Sequence, residues 1–380
     1  MLYRTIAKVT PELSILGFGC MRLPVLADGR IDEPLATEML RYAIDQGVNY
    51  IDTAYPYHNG ESEPFVGRAL QDGYRKRVRL ATKLPSWLIN SRGDMDRYLD
   101  EQLLRLQTGQ IDFYLVHSLS KASWEKVSQL GITEFLDTAV ADGRIRYAGF
   151  SFHDDVGVFK NIVDAYDWIF CQIQYNFMDE EYQAGTEGLR YAAERGLGVV
   201  VMEPIRGGVL SREILGISKI WNRARSKRSL AEWALRWVWN HPEVTVVLSG
   251  MSTRQQVVQN VACADGAFPS SLLPEELSLY EEARAEYRRR IRVPCTNCDY
   301  CVPCPSGVNI PTCFELYNLA HMYDAPDHAK GGYNFMLRGG VTSAPAFASQ
   351  CKECGTCEEL CPQGIPTRER LKEVAAFFGK

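Results

Sequence analysis

Apolar, β-rich runs recur along the chain with amphipathic segments between them. They are SILGFGCM (14–21), VNYIDTA (48–54), VRLATKL (78–84), IDFYLVHS (111–118), IRYAGFSF (145–152), WIFCQIQYN (168–176), LGVVVMEP (197–204) and VTVVLSGM (244–251), eight in all. The runs are continuous rather than alternating, which suits parallel strands covered on both faces. Between them, PLATEMLRYAIDQG (34–47) has helical periodicity: Leu35, Met39, Tyr42 and Ala43 share a face, and Gly47 is placed to end the helix. EFLDTAVADG (134–143), LRYAAERG (189–196) and LAEWALRWVWNHP (230–242) read the same way. Eight strand–helix units in about 250 residues predict an α/β fold, a (β/α)8 barrel of the TIM type. The competing doubly wound sheet needs a G-x-G-x-x-G turn after the first strand, but LGFGCM is too short and no helix follows it.

The length of 380 residues, with 46% hydrophobic and 23% charged, leaves room for a second, smaller domain. The expected division is a barrel over 1–268, a helical linker over 269–293 and a C-terminal domain over 294–380. PEELSLYEEARAEYRRRI (274–291) carries the helical pattern of the linker, and IPTCFELYNLAHMYD (310–324) makes the last domain mostly α-helical. A net charge of −5 gives no reason to invoke nucleic acid or an anionic membrane, and RRRIR (288–292) reads as a solvated helix end. No run approaches the roughly 18 apolar residues of a membrane span, and the first residues lack a signal-peptide pattern, so a cytoplasmic protein is expected.

Nine of the twelve cysteines lie after residue 290. In the cytosol they are poor candidates for disulfides. One cassette holds Cys295, Cys298, Cys301 and Cys304, followed by a proline; the other holds Cys351, Cys354, Cys357 and Cys361, again followed by a proline. The second reproduces the bacterial ferredoxin run C-x2-C-x2-C-x3-C-P, and the first differs by one residue before its last cysteine. Zinc is the rival ligand, but three close thiolates plus a Cys-Pro, twice over, suit cubane clusters better. Because the fourth cysteine of such a run ligates the other cluster, Cys295, Cys298, Cys301 and Cys361 are expected to hold one [4Fe–4S] cluster. Cys351, Cys354, Cys357 and Cys304 would hold the second. A segment this small and loop-rich is expected to lack a core of its own and to draw folding energy from metal. Cys20, Cys171, Cys263 and Cys313 read as packing residues. The cassettes and the helical insert between them resemble the α-helical ferredoxin domain of succinate dehydrogenase iron–sulfur subunits.

Barrel chemistry sits at the C-terminal strand ends, which here carry Asp52, Lys83, His117, Ser151, Gln174, Glu203 and Ser249. Asp52 and Lys83 end neighbouring strands, and a buried charge needs such a partner. Tyr57 lies a few residues into the loop DTAYPYHNGESE (52–63), where Tyr55 competes with it on chemistry alone. A nearby ammonium lowers a phenol's pKa, so Tyr57 is expected to come down toward working pH and to donate a proton to a carbonyl oxygen.

GFGCMRLP (17–24), Asp52 and Tyr57, Lys83 in ATKLP, His117 in FYLVHS, GFS (149–151), IQYN (173–176) and SGMSTRQQVVQN (249–260) resemble the aldo-keto reductases over roughly residues 1–265. That resemblance selects Tyr57 over Tyr55. It implies a catalytic set of Asp52, Tyr57, Lys83 and His117 and an NADP or NAD cofactor held without a Rossmann fold. Ser151 and Gln174 match positions that bond the nicotinamide carboxamide. Pro204, Arg206 and Gly207 in PIRGG, and Gly250, Ser252, Thr253, Arg254, Gln256 and Asn260, match loops that hold the pyrophosphate and the adenosine phosphate. Three positions depart from the family: Phe152 follows Ser151, Met202 stands where many members stack a tyrosine on the nicotinamide, and Gln256 replaces a phosphate-binding arginine. The implied activity is NAD(P)H-dependent reduction of an aldehyde or ketone, with a small carbonyl or alcohol as substrate. The clusters would be structural, or would pass electrons to a redox partner protein. The alternative is a non-enzymatic redox or oxygen sensor, or an electron-transfer subunit, on a barrel scaffold.

Overall fold

The computed structural model describes every residue except Lys8, Thr296, Cys298, Asp299 and 340–343, with Pro11 described through its backbone alone. Its strands are β1 (Tyr3–Ile6), β2 (Val9–Ser14), β3 (Leu16–Gly19), β4 (Tyr50–Asp52), β5 (Arg79–Leu84), β6 (Ile111–Leu119), β7 (Ile145–Phe152), β8 (Phe170–Gln174), β9 (Gly198–Met202) and β10 (Val244–Ser249). The helices are α1 (Glu33–Asp45), α2 (Ser62–Ala69), α3 (Arg92–Arg105), α4 (Lys121–Gln129), α5 (Ile132–Ala141), α6 (Val156–Asp164), α7 (Gly185–Glu194), α8 (Leu215–Trp221), α9 (Leu230–Trp239), α10 (Arg254–Ala264), α11 (Pro274–Arg288), α12 (Ile310–Met322), α13 (Pro326–Leu337), α14 (Thr356–Glu359) and α15 (Thr367–Phe378).

Strands β3 to β10 close into one barrel in sequence order, every pair parallel. This is the (β/α)8 architecture expected, and each strand lies within its apolar run except β6, which extends one residue further to Leu119. The antiparallel pair β1–β2 was not foreseen; its residues alternate too briefly to stand out. Ile6, Val9 and Leu13 from it join Tyr50, Phe113 and Phe170 in the barrel's interior cluster. Gly198 opens β9, and a Cβ there would lie 2.2 Å from Ile6, so the pair stoppers the N-terminal end and leaves the opposite mouth for chemistry.

Helix α1 starts where the Asp32 side chain accepts from the Leu35 amide at 3.2 Å. It gives way at Gly47, whose φ is +97°. Its buried face is Ala36, Met39, Leu40, Ala43 and Ile44. Leu35 and Tyr42, expected on that face, are only half-buried, because the true face is rotated toward the next residue along.

The chain separates into two compact units, Met1–Gly207 with Ala231–Leu272, and Gly208–Leu230 with Leu273–Lys380. The expected boundaries at 268 and 293 cut the chain linearly, whereas these units interleave. Within the second, Trp221 of α8 stacks edge-on against Tyr280 of α11 at 4.9 Å, and Arg228 pairs with Glu276 at 2.7 Å. The cysteine-bearing region has an apolar core after all. Phe314, Leu316 and Ala320 of α12, Tyr333 and Leu337 of α13, and Leu371, Val374 and Phe378 of α15 are buried together. The expectation of a coreless segment is therefore corrected: three amphipathic helices with large aromatics bury one another. Asn318 accepts from the Arg292 and Val293 amides at 2.9 Å and donates to the Val293 carbonyl at 2.7 Å, anchoring the chain ahead of the first cassette. Cys20, Cys171 and Cys313 are buried as packing residues, while Cys263 is half-buried. No helix of the described residues is long and apolar enough to cross a membrane.

Helices α2 and α3 touch backbone to backbone: a Cβ on Gly67 would lie 2.5 Å from the Arg105 carbonyl oxygen and 2.8 Å from the Leu106 carbonyl carbon. No side chain can move aside there. Gly67→Ala is expected to cost about 1–3 kcal/mol by forcing the helices apart, read as a lower urea midpoint with an unchanged slope.

Candidate active site and cysteine pocket

Asp52 closes β4, Lys83 lies one residue from the end of β5 and His117 lies near the end of β6, so all three stand at the C-terminal mouth. Parallel register makes Asp52 the partner of Ala81, and Lys83 the partner of Leu115. The Lys83 ammonium, fully buried, donates to Asp52 Oδ1 and to the Thr53 carbonyl, both at 2.7 Å. His58 and Asn59 then take left-handed conformations, with φ of 51° and 55°. That turn reverses the chain and lays the Tyr57 ring over Lys83, with Nζ 5.0 Å from the ring centroid. His117 meets Tyr57 edge-on at 6.3 Å and Trp87 at 5.1 Å. The Ser86 hydroxyl donates to the His117 carbonyl at 2.7 Å, holding that end of β6. The structure thus brings Asp52, Tyr57, Lys83 and His117 together. Tyr55 points elsewhere: its ring crosses Tyr98 at 5.2 Å and lies under Arg105.

Burial dominates the electrostatics. Tyr57 is half-buried as a residue, yet desolvation is the largest influence on its phenol and raises its pKa, outweighing the opposing pull of Lys83. The expected fall toward working pH is corrected accordingly: the phenol holds its proton through the neutral range. For Lys83, burial works against the ammonium, but Asp52 and Tyr57 together leave its pKa raised. Asp52 is raised by burial, with Lys83 opposing. His117 lies well below the ordinary imidazole value, chiefly by burial and then by Lys83, so it is neutral near pH 7. Two buried atoms of these residues, Asp52 Oδ2 and His117 Nδ1, have no hydrogen-bond partner.

The expected cofactor residues fall into two sets. Ser151 Oγ accepts from the Ser118 amide at 2.7 Å, and Ser151 registers against Gln172 on β8. Gln172 was missed in the sequence. Its Oε1 is buried without a partner, while Nε2 meets Met202 Sδ at 3.6 Å. The expected Gln174 instead donates to Asp179 at 2.9 Å. Asp179 also takes the Arg206 Nε at 2.9 Å and the Asn176 amide at 3.0 Å. The signal for Gln172 was its place one strand across from Ser151. Glu203 is held with φ of 55°, ahead of Pro204, Arg206 and Gly207. At the other set, Thr253 caps α10 by accepting from the Gln256 amide at 3.3 Å. The Gln256 side-chain Oε1 turns back to accept from the Ser252 amide at 2.8 Å, and the Asn260 side chain donates to Ser249 Oγ at 2.9 Å. Arg254 pairs with Glu38 at 2.8 Å, and Gly250 is exposed. Asn260 is buried whereas Gln256 is exposed, so the two do not share an environment.

In the second unit, Cys301, Cys304, Cys351, Cys354 and Cys357 line one cavity of about 30 Å³. Both cassettes contribute to it. Cys295 and Cys361 are half-buried against the helical core, and Cys298 lies outside the described residues. Hydrogen bonds from Thr356 hold the Cys354 thiol below its ordinary value, while burial raises Cys357. Among the described residues no three His, Cys, Asp or Glu side chains are yet drawn in to metal-ligand distances. The donor set itself, sulfur with no competing carboxylate in the lining, fits a thiophilic centre.

The Lys83–Asp52 pair is buried on both sides, with side chains 0% and 3% exposed. Lys83→Met leaves a buried carboxylate without its cation and is expected to cost about 3–5 kcal/mol. The acid's folded pKa is raised further, so stability is lost as pH rises from its unfolded value of about 4. Denaturation at pH 8 is therefore predicted to show a larger penalty than at pH 5, and Asp52→Asn/Lys83→Met to flatten that difference.

Comparison with known proteins bears on this geometry. Residues 15–273 match the sequence model of the aldo/keto reductase family, and residues 294–365 match that of the 4Fe-4S dicluster domain. A curated relative, aldo-keto reductase YhdN of Bacillus subtilis (strain 168), is 38% identical over 125 residues, which is 31% of this chain and 38% of that protein. The holo form of aldo-keto reductase AKR11C1 from Bacillus halodurans superposes with a TM-score of 0.63 at 29% identity, covering 74% of this chain and 96% of its own. An aldo-keto reductase from Klebsiella pneumoniae, solved in complex with NADPH, gives 0.60 at 26% identity, covering 74% and 95%. With the closed barrel inside the matched span and solved members superposing on it, the chain belongs to the aldo/keto reductase family of oxidoreductases and carries a 4Fe-4S dicluster domain after its barrel.

Proposed function

We propose that the protein reduces an aldehyde or ketone with NAD(P)H, using Tyr57 as the proton donor. The observation that carries this reading is a phenol, an ammonium and a neutral imidazole gathered at one barrel mouth, with Lys83 anchored at 2.7 Å to Asp52. Reduced nicotinamide, when bound, supplies the hydride for the carbonyl carbon. Tyr57, protonated through the neutral range by its burial, gives its proton to the carbonyl oxygen. Lys83 then faces the phenolate that remains, which is where positive charge counts in the transition state. His117 is uncharged and orients the carbonyl through a ring nitrogen. Asp52 keeps Lys83 charged and fixed in place.

Ser151 and Gln172 are the residues proposed to hold the carboxamide. The orphaned Gln172 Oε1 matches an amide N–H, whereas the Gln174 amide is committed to Asp179. Pro204, Arg206 and Gly207 are proposed for the pyrophosphate. Gly250, Ser252, Thr253, Arg254, Gln256 and Asn260, around the start of α10, are proposed for the adenosine end, where a helix N-terminus favours phosphate. The NADPH of the Klebsiella pneumoniae relative supports a nicotinamide cofactor here.

For the second unit, two [4Fe–4S] clusters are proposed. Cys304, Cys351, Cys354 and Cys357, four of the five thiols that line one cavity, would hold one, a ligand from each cassette crossing as in two-cluster ferredoxins. Cys295, Cys298, Cys301 and Cys361 would hold the other. The partners expected are a small carbonyl or alcohol substrate and a redox protein that exchanges electrons with the clusters.

Tyr57→Phe is predicted to lower NADPH-dependent turnover of 4-nitrobenzaldehyde by about 10²–10⁴-fold, with NADPH binding, followed by cofactor fluorescence, retained. Undiminished turnover would remove Tyr57 from the chemistry. Protein purified without oxygen is predicted to contain about eight iron and eight acid-labile sulfide per chain. Zinc in their place would overturn the cluster assignment.

A further inference from the structure

The stretch that follows Tyr57, NGESE (59–63), is used only in part by the chemistry above. Its last two residues open helix α2, and both are fully buried. A buried carboxylate is expensive, and apolar side chains pack two helices equally well. Glu63 therefore calls for an explanation beyond the packing of α2 on α3.

Glu63 is surrounded by specific partners. Its Oε1 accepts from the Thr82 hydroxyl and from the Gln102 amide, both at 2.6 Å. The same Gln102 Nε2 donates to the carbonyl oxygen of Lys83 at 3.0 Å, and Gln102 Oε1 accepts from the Tyr114 hydroxyl at 2.8 Å. Arg105 balances the charge at 3.5 Å from Oε2. Ser62, the preceding residue, shares a 2.8 Å hydrogen bond with Thr53 Oγ1 and donates to the Cys20 carbonyl at 3.2 Å. Thr53 is the residue whose carbonyl takes the second hydrogen bond of the Lys83 ammonium. The first turn of α2 thus ties down the ends of three successive strands, β3, β4 and β5. It grips Lys83 from both sides, at its own backbone through Glu63 and Gln102 and at its ammonium through Ser62 and Thr53.

We propose that Glu63, acting through Gln102 and Thr82, is a positioning residue for Lys83, fixing where the ammonium stands beneath Tyr57. The proposal rests on the reductase reading given above. Sliding the end of β5 past β4 would shift Nζ relative to the phenol while leaving the barrel closed, and a displacement near 1 Å at a reacting centre costs about 10²-fold in rate. A side-chain Oε1 suits this task because it accepts from two donors at short range in a dry site, where such bonds are stiffest.

The test compares Glu63→Leu, which removes the acceptor, with Glu63→Gln, which keeps an Oε1 acceptor without the charge. Each is read by the 13Cζ resonance of Tyr57, assigned by its loss in Tyr57→Phe, by kcat with 4-nitrobenzaldehyde and by NADPH affinity. Glu63→Leu is expected to move the resonance and to lower kcat about 10- to 100-fold with NADPH affinity unchanged, and Glu63→Gln to recover most of both. A folded Glu63→Leu protein with the wild-type resonance and kcat would overturn the proposal, as would Glu63→Gln that is no better than Glu63→Leu. Should Glu63→Leu not fold, Gln102→Met is judged by the same readings. If the wild-type protein reduces no carbonyl at all, the reductase reading fails, and the resonance still decides whether Glu63 sets the Lys83–Tyr57 geometry.

Discussion

The Lys83–Asp52 ion pair is the constraint on which the rest of the mouth depends. Both groups are almost wholly removed from water, and neither has a cheap alternative state there. The pair survives because β4 and β5 are neighbours, with Asp52 opposite Ala81 and Lys83 two residues further along β5, and because the Thr53 carbonyl takes a second proton of the ammonium. Everything functional is referred to that point: the ring of Tyr57 lies above it, and the imidazole of His117 is kept neutral partly by its positive charge.

Closure of the barrel makes this arrangement possible. Eight parallel strands in register fix the axial level of each strand end. The β1–β2 pair fills the far end with Ile6, Val9 and Leu13, so the open end is the mouth that carries the polar groups. The loop that delivers Tyr57 then has to turn sharply. It does so with left-handed residues at His58, Asn59 and Gly60, before α2 anchors the strand ends from outside. The loop and the helix are consecutive in sequence, so the group that donates the proton and the groups that steady its neighbour come from a single stretch of chain.

The second unit follows a different logic. Its helices bury a core of aromatic and aliphatic side chains that includes Cys313, and Cys295, Cys301, Cys304, Cys351, Cys357 and Cys361 pack at the edge of that core rather than inside it. Four half-buried thiols and the exposed Cys354 around a small cavity are reachable by metal, which suits sulfur ligation. An own core also means that this unit need not rely on metal alone for its folding.

The sequence by itself determined the barrel, its strand positions, the four groups at its mouth and the two cysteine cassettes. Each of those is written in local pattern, as continuous apolar runs, a polar residue at a strand's end or thiols at fixed spacing, except Tyr57, which only the resemblance to the aldo-keto reductases selects over Tyr55. The sequence also led to Gln174, whose amide the structure commits to Asp179, and to an acidified Tyr57 where burial raises the phenol. Those outcomes, together with the β1–β2 stopper, the interleaved units and the Glu63–Gln102 clamp, were decided by tertiary structure alone. Register across strands chooses which glutamine has a free oxygen, and burial is the sum over neighbours that are distant in the chain. A pKa depends on that sum, and spacing along the sequence does not contain it.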